Sequence, residues 1–483
     1  MPIDYYRFEG SPPCNIVDLV IEKLGIESDL NVHHLGWLSE DYLKPEFLKI
    51  NPQHVCPTIV DEGFTLWESR AIAKYLLTKY GDQKLYPKDI RTRALIDQRL
   101  DFDLGTLFCR FTDYYYEYPH GKPLEEGKLN KLKEALGFLN SFLEGLKYAA
   151  GDELSLADLS LAVSVSYIVA IGVSIDEYPN VVRWHQLLKS TFKPYETIIR
   201  HNINEFFIVV NKVISLNQNK AMFVHFLRLL LNESANYLKV MKSELGWPNE
   251  RLNNKSDKVP IDFYRMEGSP PCTVLSLVIA ELGIQSDFKE RTFDWHSQEY
   301  LNPEFKKINP QHIVPTIVEN GLVLCESRAI TKYLLAKYGD EKLYPKDILK
   351  RVIVDMRLDF DLGTLFCRFA DYYYGFPYGQ PLEEDKLKRL QEALWFLDTF
   401  LVSNKYVAGD ELTLADLSLG VTVSFILAIK VSIDEYPNVL RWHNMLRSTN
   451  SNFKSIVDHS IHQFITTTGE MIVMYSKANQ QKE

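Results

Sequence analysis

Hydrophobic and polar positions organise the first eighty residues into alternating strand and helix signals. IDYYRF (3–8) is a β-rich run that ends near Gly10 and reads as a strand. After Pro12 and Pro13, the apolar positions Val17, Val20, Ile21 and Leu24 follow helical spacing, and Gly25 stands where a helix C′ glycine belongs. Alternation predicts a second strand around 29–35, followed by the turn-rich segment LKPEFLKINPQH. TIV (58–60) and FTLW (64–67) flank Asp61-Glu62-Gly63, a hairpin signal. SRAIAKYLLTKYG (69–81) is a predicted helix with Ala71, Ile72, Tyr75 and Leu76 on one stripe. The order βαβ then ββα describes a small α/β module with helices on its sheet.

Beyond about residue 90 the pattern is helical. Segments 90–118, 125–145, 155–171 and 179–190 carry apolar stripes without strand alternation. The clearest helix start is Leu154-Ser155-Leu156-Ala157-Asp158-Leu159. Ser155 as N-cap and Asp158 at N3 make a capping box, while Leu154 and Leu159 suit a hydrophobic staple. We read this box, and its copy Thr413-Leu414-Ala415-Asp416, as structural.

The whole pattern then repeats. EGSPPC (9–14 and 267–272), INPQH (50–54 and 308–312), ESRAI (68–72 and 326–330), DFDLGTLFCRF (101–111 and 359–369) and SIDEYPNV (174–181 and 432–439) all recur at one offset, 258 residues. Residues 2–206 and 260–464 therefore align without insertion, and a unit of this size is a duplicated protein rather than a solenoid repeat. The chain of 483 residues accommodates two such units, each of two domains. Residues 207–258, with FFIVV and FVHFLRLLL and a polar end, read as a helical extension followed by a tether. A gene-fusion remnant would look similar, and too few basic residues flank the apolar bursts to favour a membrane-surface helix.

The net charge of −10 disfavours nucleic acid as a partner, since phosphate binding needs a clustered positive surface. No basic and apolar leader pattern opens the chain, and no run of about 18 apolar residues suggests a membrane span. Six cysteines without metal-type spacing suit reduced thiols in a cytoplasmic protein. No metal site is expected.

The ordered set GSPPC, LKPEFLKINPQH…PTIVDEG, ESRAI and RLDFDLGTLF…DYYY resembles the cytosolic glutathione transferases, and within them the insect-type delta class. The resemblance covers nearly all of both repeats. It implies an α/β plus all-α fold: two copies of a thioredoxin-like domain followed by a helical bundle. The expected boundaries are 1–82 and 88–206 for the first copy, 207–258 for the linker, and 259–340 and 346–464 for the second.

Ser11 lies at the start of the first helix, where an anion is favoured and a hydroxyl can donate to a thiolate. Serine there is equally a good N-cap. The resemblance implies that Ser11 and its copy Ser269 activate the sulfur of glutathione. S-P-P-C matches a C-x-x-C motif with its first cysteine replaced, so dithiol exchange is disfavoured and Cys14 reads as a buried helix residue.

The resemblance further implies a cis proline at Pro57 and Pro315, preceded by Cys56 and Val314, whose backbone would hold the cysteinyl part of glutathione. It places Glu68, Ser69 and Arg70, and Glu326, Ser327 and Arg328, at the γ-glutamyl end, where free helix-start amides also suit a carboxylate. His54 and His312 fall near the glycyl carboxylate, and Asp103 and Asp361 support the α-amino group. Phe108, Phe111 and Tyr116, with Phe366, Phe369 and Tyr374, would line an apolar substrate pocket; by spacing alone such a stripe is also plain core. Where the delta pattern commonly has a histidine near the proline of LKP, this chain has Tyr42 and Tyr300.

The implied function is conjugation of reduced glutathione, as co-substrate, to hydrophobic electrophiles in detoxification, with two sites per chain. The alternatives are a glutathione- and ligand-binding protein with little turnover, or a glutathione-dependent peroxidase or isomerase. Such proteins pair as dimers. A linker of about 50 residues spans roughly 40 Å as a flexible coil, enough for an intramolecular pseudo-dimer, while a homodimer stays open.

Overall fold

A computed structural model describes residues 2–81, 84–216, 260–339 and 341–480. Most of the expected linker lies outside them. Each unit begins with a four-stranded sheet. In the first unit these strands are β1 (Ile3–Phe8), β2 (Leu30–Leu35), β3 (Thr58–Asp61) and β4 (Phe64–Trp67), in spatial order β2-β1-β3-β4. β1 and β2 are parallel and the other pairings antiparallel. Ile3 and Tyr5 point into the core while Asp4 and Tyr6 face outward, the alternation expected of a half-buried strand.

Helices α1 (Pro12–Leu24), α2 (Pro45–Ile50) and α3 (Ser69–Tyr80) complete this module. Gly25 ends α1 in the left-handed region, as a C′ glycine should.

The helical domain contains α4 (Ile90–Phe102), α5 (Phe108–Tyr115), α6 (Glu126–Phe142), α7 (Leu156–Ala170), α8 (Pro179–Thr191) and α9 (Lys193–Leu216). Residues Leu156 to Ile168 of α7 are buried on every side, which makes α7 the central helix. The capping box at its start is formed. Asp158 accepts from the Ser155 amide and hydroxyl, the Ala149 amide and the indole N–H of the fully buried Trp184.

Two expectations are corrected. The segment 90–118 is not one continuous helix: Asp103–Leu107 form a π-helical turn between α4 and α5, which re-aims the aromatic residues that follow. The expected unit boundary at 206 falls inside α9, because Ile199, Val210 and Ile214 keep one face buried through to the helix end.

The second unit repeats the order with β5 (Ile261–Met266), α10 (Pro270–Leu282), β6 (Phe288–Phe293), α11 (Pro303–Ile308), β7 (Thr316–Glu319), β8 (Leu322–Cys325) and α12 (Ser327–Tyr338). Its helical domain follows as α13 (Ile348–Phe360), α14 (Phe366–Tyr373), α15 (Glu384–Phe400), α16 (Leu414–Ala428), α17 (Pro437–Thr449) and α18 (Ser451–Gln480).

The two units pack on each other reciprocally, α4 against α12 and α13 against α3. At the centre of this boundary, Lys74 lies 2.9 Å from Asp97, and Lys332 lies 3.6 Å from Asp97 and 3.7 Å from Asp355, all four buried. A Cβ on Gly105 would meet Leu362 at 2.9 Å, and one on Gly363 would meet Leu104 at 3.0 Å. Glycine is what lets the π-helical turn at Asp103–Leu107 and its copy at Asp361–Leu365 approach so closely.

Candidate functional site

Ser11 is the N-cap of α1, with extended backbone and 3% exposure; Ser269 holds the same place on α10. Neither side chain caps a backbone amide. The reason is local. An N-cap side chain accepts from the N2 or N3 amide, and proline at N1 and N2 leaves only the N3 donor. Gly10, at φ +73°, precedes Ser11 because a Cβ there would fall 2.4 Å from the backbone nitrogen of Phe206 on α9. The helical domain thus closes directly over the serine loop. Burial pushes the Cys14 thiol up to about 12 and Cys272 up to about 11, against the opposing hydrogen bonds of Ser11 and Ser269. Both stay protonated thiols at neutral pH, which suits core residues rather than nucleophiles.

The loop before β3 carries a cis Cys56–Pro57 bond, and its copy a cis Val314–Pro315 bond. Asn51 braces this loop, its amide donating to the Val55 carbonyl at 3.1 Å and the Thr58 hydroxyl at 2.9 Å. His54, at φ +47°, lies on the same loop beside Tyr42, and its ring meets Phe396 of the second unit edge-on at 5.8 Å. His312 meets Phe138 of the first unit in the same way at 5.7 Å. Each of these histidines therefore sits on the boundary between units.

Glu68 precedes α3 at φ +68°, and Glu326 precedes α12 at φ +68°, a left-handed conformation that non-glycine residues hold only when the surroundings enforce it. Burial pushes the Glu68 carboxyl up to about 8; Asp359 of the second unit adds to the rise, while Arg70 and Arg357 oppose it. Burial, with Asp101 of the first unit, pushes Glu326 up to about 7. Ser69 and Ser327 follow as the first, buried residues of their helices.

Asp103 does not face this end as an open carboxylate. It is fully buried, with Arg70 at 2.5 Å, the Ser164 hydroxyl at 2.7 Å and the Ser160 hydroxyl all bound to it. Asp361 is filled in the same way by Arg328 at 2.6 Å, Ser418 at 2.6 Å and Thr422 at 2.8 Å. These aspartates tie the arginines to the helical domain, each accepting two hydrogen bonds on Oδ2 and one on Oδ1. Among the described residues, Asp101 and Asp359 are buried aspartates that each keep one oxygen without a hydrogen-bond partner. Asp359 is pushed up to about 6 by burial, with Lys74 and Lys332 opposing. Sequence reasoning passed over both, although each opens the DFDLGTLF motif.

The aromatic residues separate the two copies. Phe108 and Phe111 lie 6.0 Å apart, with Phe111 buried, but Tyr116 is 65% exposed and turns onto His120 at 5.8 Å. In the second unit Tyr374 packs edge-on against Phe366 at 6.3 Å and Phe369 at 5.7 Å. The second unit thus brings its expected trio together, and the first does not. The local cause is composition: YEYPH follows the helix in one copy and YGFPY in the other. Among the described residues, no group of three or more His, Cys, Asp or Glu side chains is placed to hold a metal ion. No helix there is long and apolar enough to cross a membrane.

The glutathione S-transferase N-terminal domain family matches residues 6–84 and again 263–342, and the glutathione S-transferase C-terminal domain family matches 95–190 and 353–450. Among solved structures, the chain is similar to a delta-class glutathione transferase of Nilaparvata lugens, at 42% identity over 44% of this chain and 100% of that one, with a TM-score of 0.42. It is also similar to a Bombyx mori glutathione transferase, at 38% identity over 44% and 97% of the two chains, TM-score 0.41. An epsilon-class enzyme of the housefly, Musca domestica, matches at 32% identity over 44% and 98%, TM-score 0.41. With two N-terminal and two C-terminal domains of this kind in tandem, the chain belongs to the glutathione S-transferase family.

Proposed function

We propose that each unit binds reduced glutathione and transfers its sulfur to a hydrophobic electrophile, giving two conjugating sites per chain. The observation that carries this reading is the state of Ser11 and Ser269. Each opens a helix as its N-cap, yet neither hydroxyl caps an amide. A hydroxyl at a helix N-terminus can donate to a thiolate held there. A thiol of reference pKa about 8.5 is mostly protonated at pH 7, and lowering that by two units takes about 2.7 kcal/mol, within reach of one charge-assisted hydrogen bond and a helix dipole.

In this reading residues 1–82 and 259–340 hold glutathione, while 88–206 and 346–464 supply the electrophile side. The cis-proline loops at Cys56 and Val314 hold the cysteinyl backbone. Glu68 with Asp359, and Glu326 with Asp101, form acidic pairs suited to the α-ammonium, and Ser69 and Ser327 offer helix-start amides to the γ-glutamyl carboxylate. The thiol proton leaves to solvent, the thiolate forms the new carbon–sulfur bond, and the leaving group departs with its electron pair. Each acidic pair draws on both units, which favours the intramolecular pseudo-dimer. All six cysteines are free, in keeping with a cytoplasmic enzyme.

The test is conjugation of glutathione to a general aryl halide by wild type, Ser11→Ala, Ser269→Ala and the double variant. Each single variant should retain the activity of the other site. The double variant should lose on the order of 10- to 100-fold in kcat/KM, the cost of one hydrogen bond to a charged group. Full activity in the double variant would remove both serines from the chemistry. Glutathione binding without turnover in wild type would favour a binding protein.

A further inference from the structure

Cys109 and Cys367 occupy equivalent positions of the two units, and their sulfur atoms lie 3.3 Å apart across the boundary between them. Neither side chain is fully buried, whereas Cys14, Cys272 and Cys325 are. One helical turn earlier, Leu362 fills the space over Gly105 and Leu104 fills the space over Gly363. This reciprocal packing holds the turns Asp103–Leu107 and Asp361–Leu365 against each other, and the cysteines meet at the starts of α5 and α14 that follow. Because the helices belong to one chain, the pair forms at the same encounter in every molecule, whatever the protein concentration.

We propose that Cys109 and Cys367 are an oxidisable thiol pair that closes into a disulfide joining the two units. The sulfurs must move from 3.3 Å to a bond length of about 2.05 Å. The oxidant is a low-molecular-weight disulfide, with glutathione disulfide the probe. One cysteine thiolate attacks a sulfur of glutathione disulfide and expels one glutathione thiolate. The second cysteine then attacks the protein sulfur of that mixed disulfide and expels the other. Two protein thiols and one glutathione disulfide become one protein disulfide and two glutathiones, with two electrons moved. The bond would pin together the helices that carry Phe108 and Phe111 on one side and Phe366 and Phe369 on the other. No conjugating activity is needed for it to form.

The experiment equilibrates the reduced full chain with glutathione disulfide, quenches with acid and counts free thiols in denaturant. The count should fall from six to four. A peptide linking residues 109 and 367 should appear by mass spectrometry, and unreduced denatured chain should migrate faster in a gel because a long loop is closed. Cys109→Ser and Cys367→Ser should each abolish the faster band. Six titratable thiols, separate glutathione adducts on the two cysteines, or cross-links between chains would each overturn the proposal. The wild-type readout stands even if a variant misfolds.

Discussion

Glu68 shows how much of this site's chemistry is set residue by residue. Its carboxyl, held near 8, keeps a proton at neutral pH that an exposed glutamate would have lost. A ligand ammonium placed beside it favours the ionised form, so binding should expel that proton. S-methylglutathione isolates the effect, having no thiol to titrate. Calorimetry in buffers of differing ionisation enthalpy should show proton release between about pH 5 and pH 8, fading above that as the free carboxyl ionises. Glu68→Gln with Glu326→Gln should reduce the release, most of all near pH 7, where Asp359 is already ionised. Unchanged release in that variant would move the ammonium elsewhere. Glu68, Ser69 and Arg70 were legible as a motif; the partner of Glu68 was not. Asp101 and Asp103 are two residues apart on a helical stretch and so point in nearly opposite directions. Asp103 turns to its own unit's Arg70, and Asp101 toward Glu326 of the other. Which one meets the other unit depends on how the units pack, and no local pattern encodes that.

At the scale of elements, α7 is the clearest case of sequence determining structure. The capping box read from Ser155 and Asp158 is present with both of its hydrogen bonds. The sequence did not show that Asp158 also receives Trp184 and the Ala149 amide, contacts made at longer range. Asp158→Ala would leave these buried donors and the Ser155 amide unpaired. At about 1–3 kcal/mol for each unsatisfied group, a loss of at least about 3 kcal/mol is expected. Denaturant unfolding should show it as a lower midpoint for the first helical domain, and Asp416→Ala should do the same for the second. A change below about 1 kcal/mol would mean that the box is dispensable. The π-helical turn at Asp103–Leu107 was the element least visible in the pattern. Helical periodicity continues through it, and only the close approach of Leu362 to Gly105 shows why the chain widens there.

The duplication was plain in the sequence because the repeated motifs keep one offset throughout. Identical motifs did not make identical sites. Trp67 donates to Gln53 in the first unit; Cys325 stands in its place in the second, donating to Gln311 and also receiving the side chain of Gln98 from the first. Tyr116 and Tyr374 match by position yet point to different neighbours. Such differences arise from the residues around each position, and aligning the two copies cannot reveal them. What the copies do share is an uncapped serine at the start of a helix, so each unit is expected to form one glutathione thiolate. The direct measurement is the ultraviolet absorbance of glutathione thiolate on the protein as a function of pH. Two thiolate equivalents per chain should form below the pH at which free glutathione ionises, with one in either Ser11→Ala or Ser269→Ala and none in the double variant. The same thiolate signal in the double variant as in wild type would show that neither serine forms the thiolate.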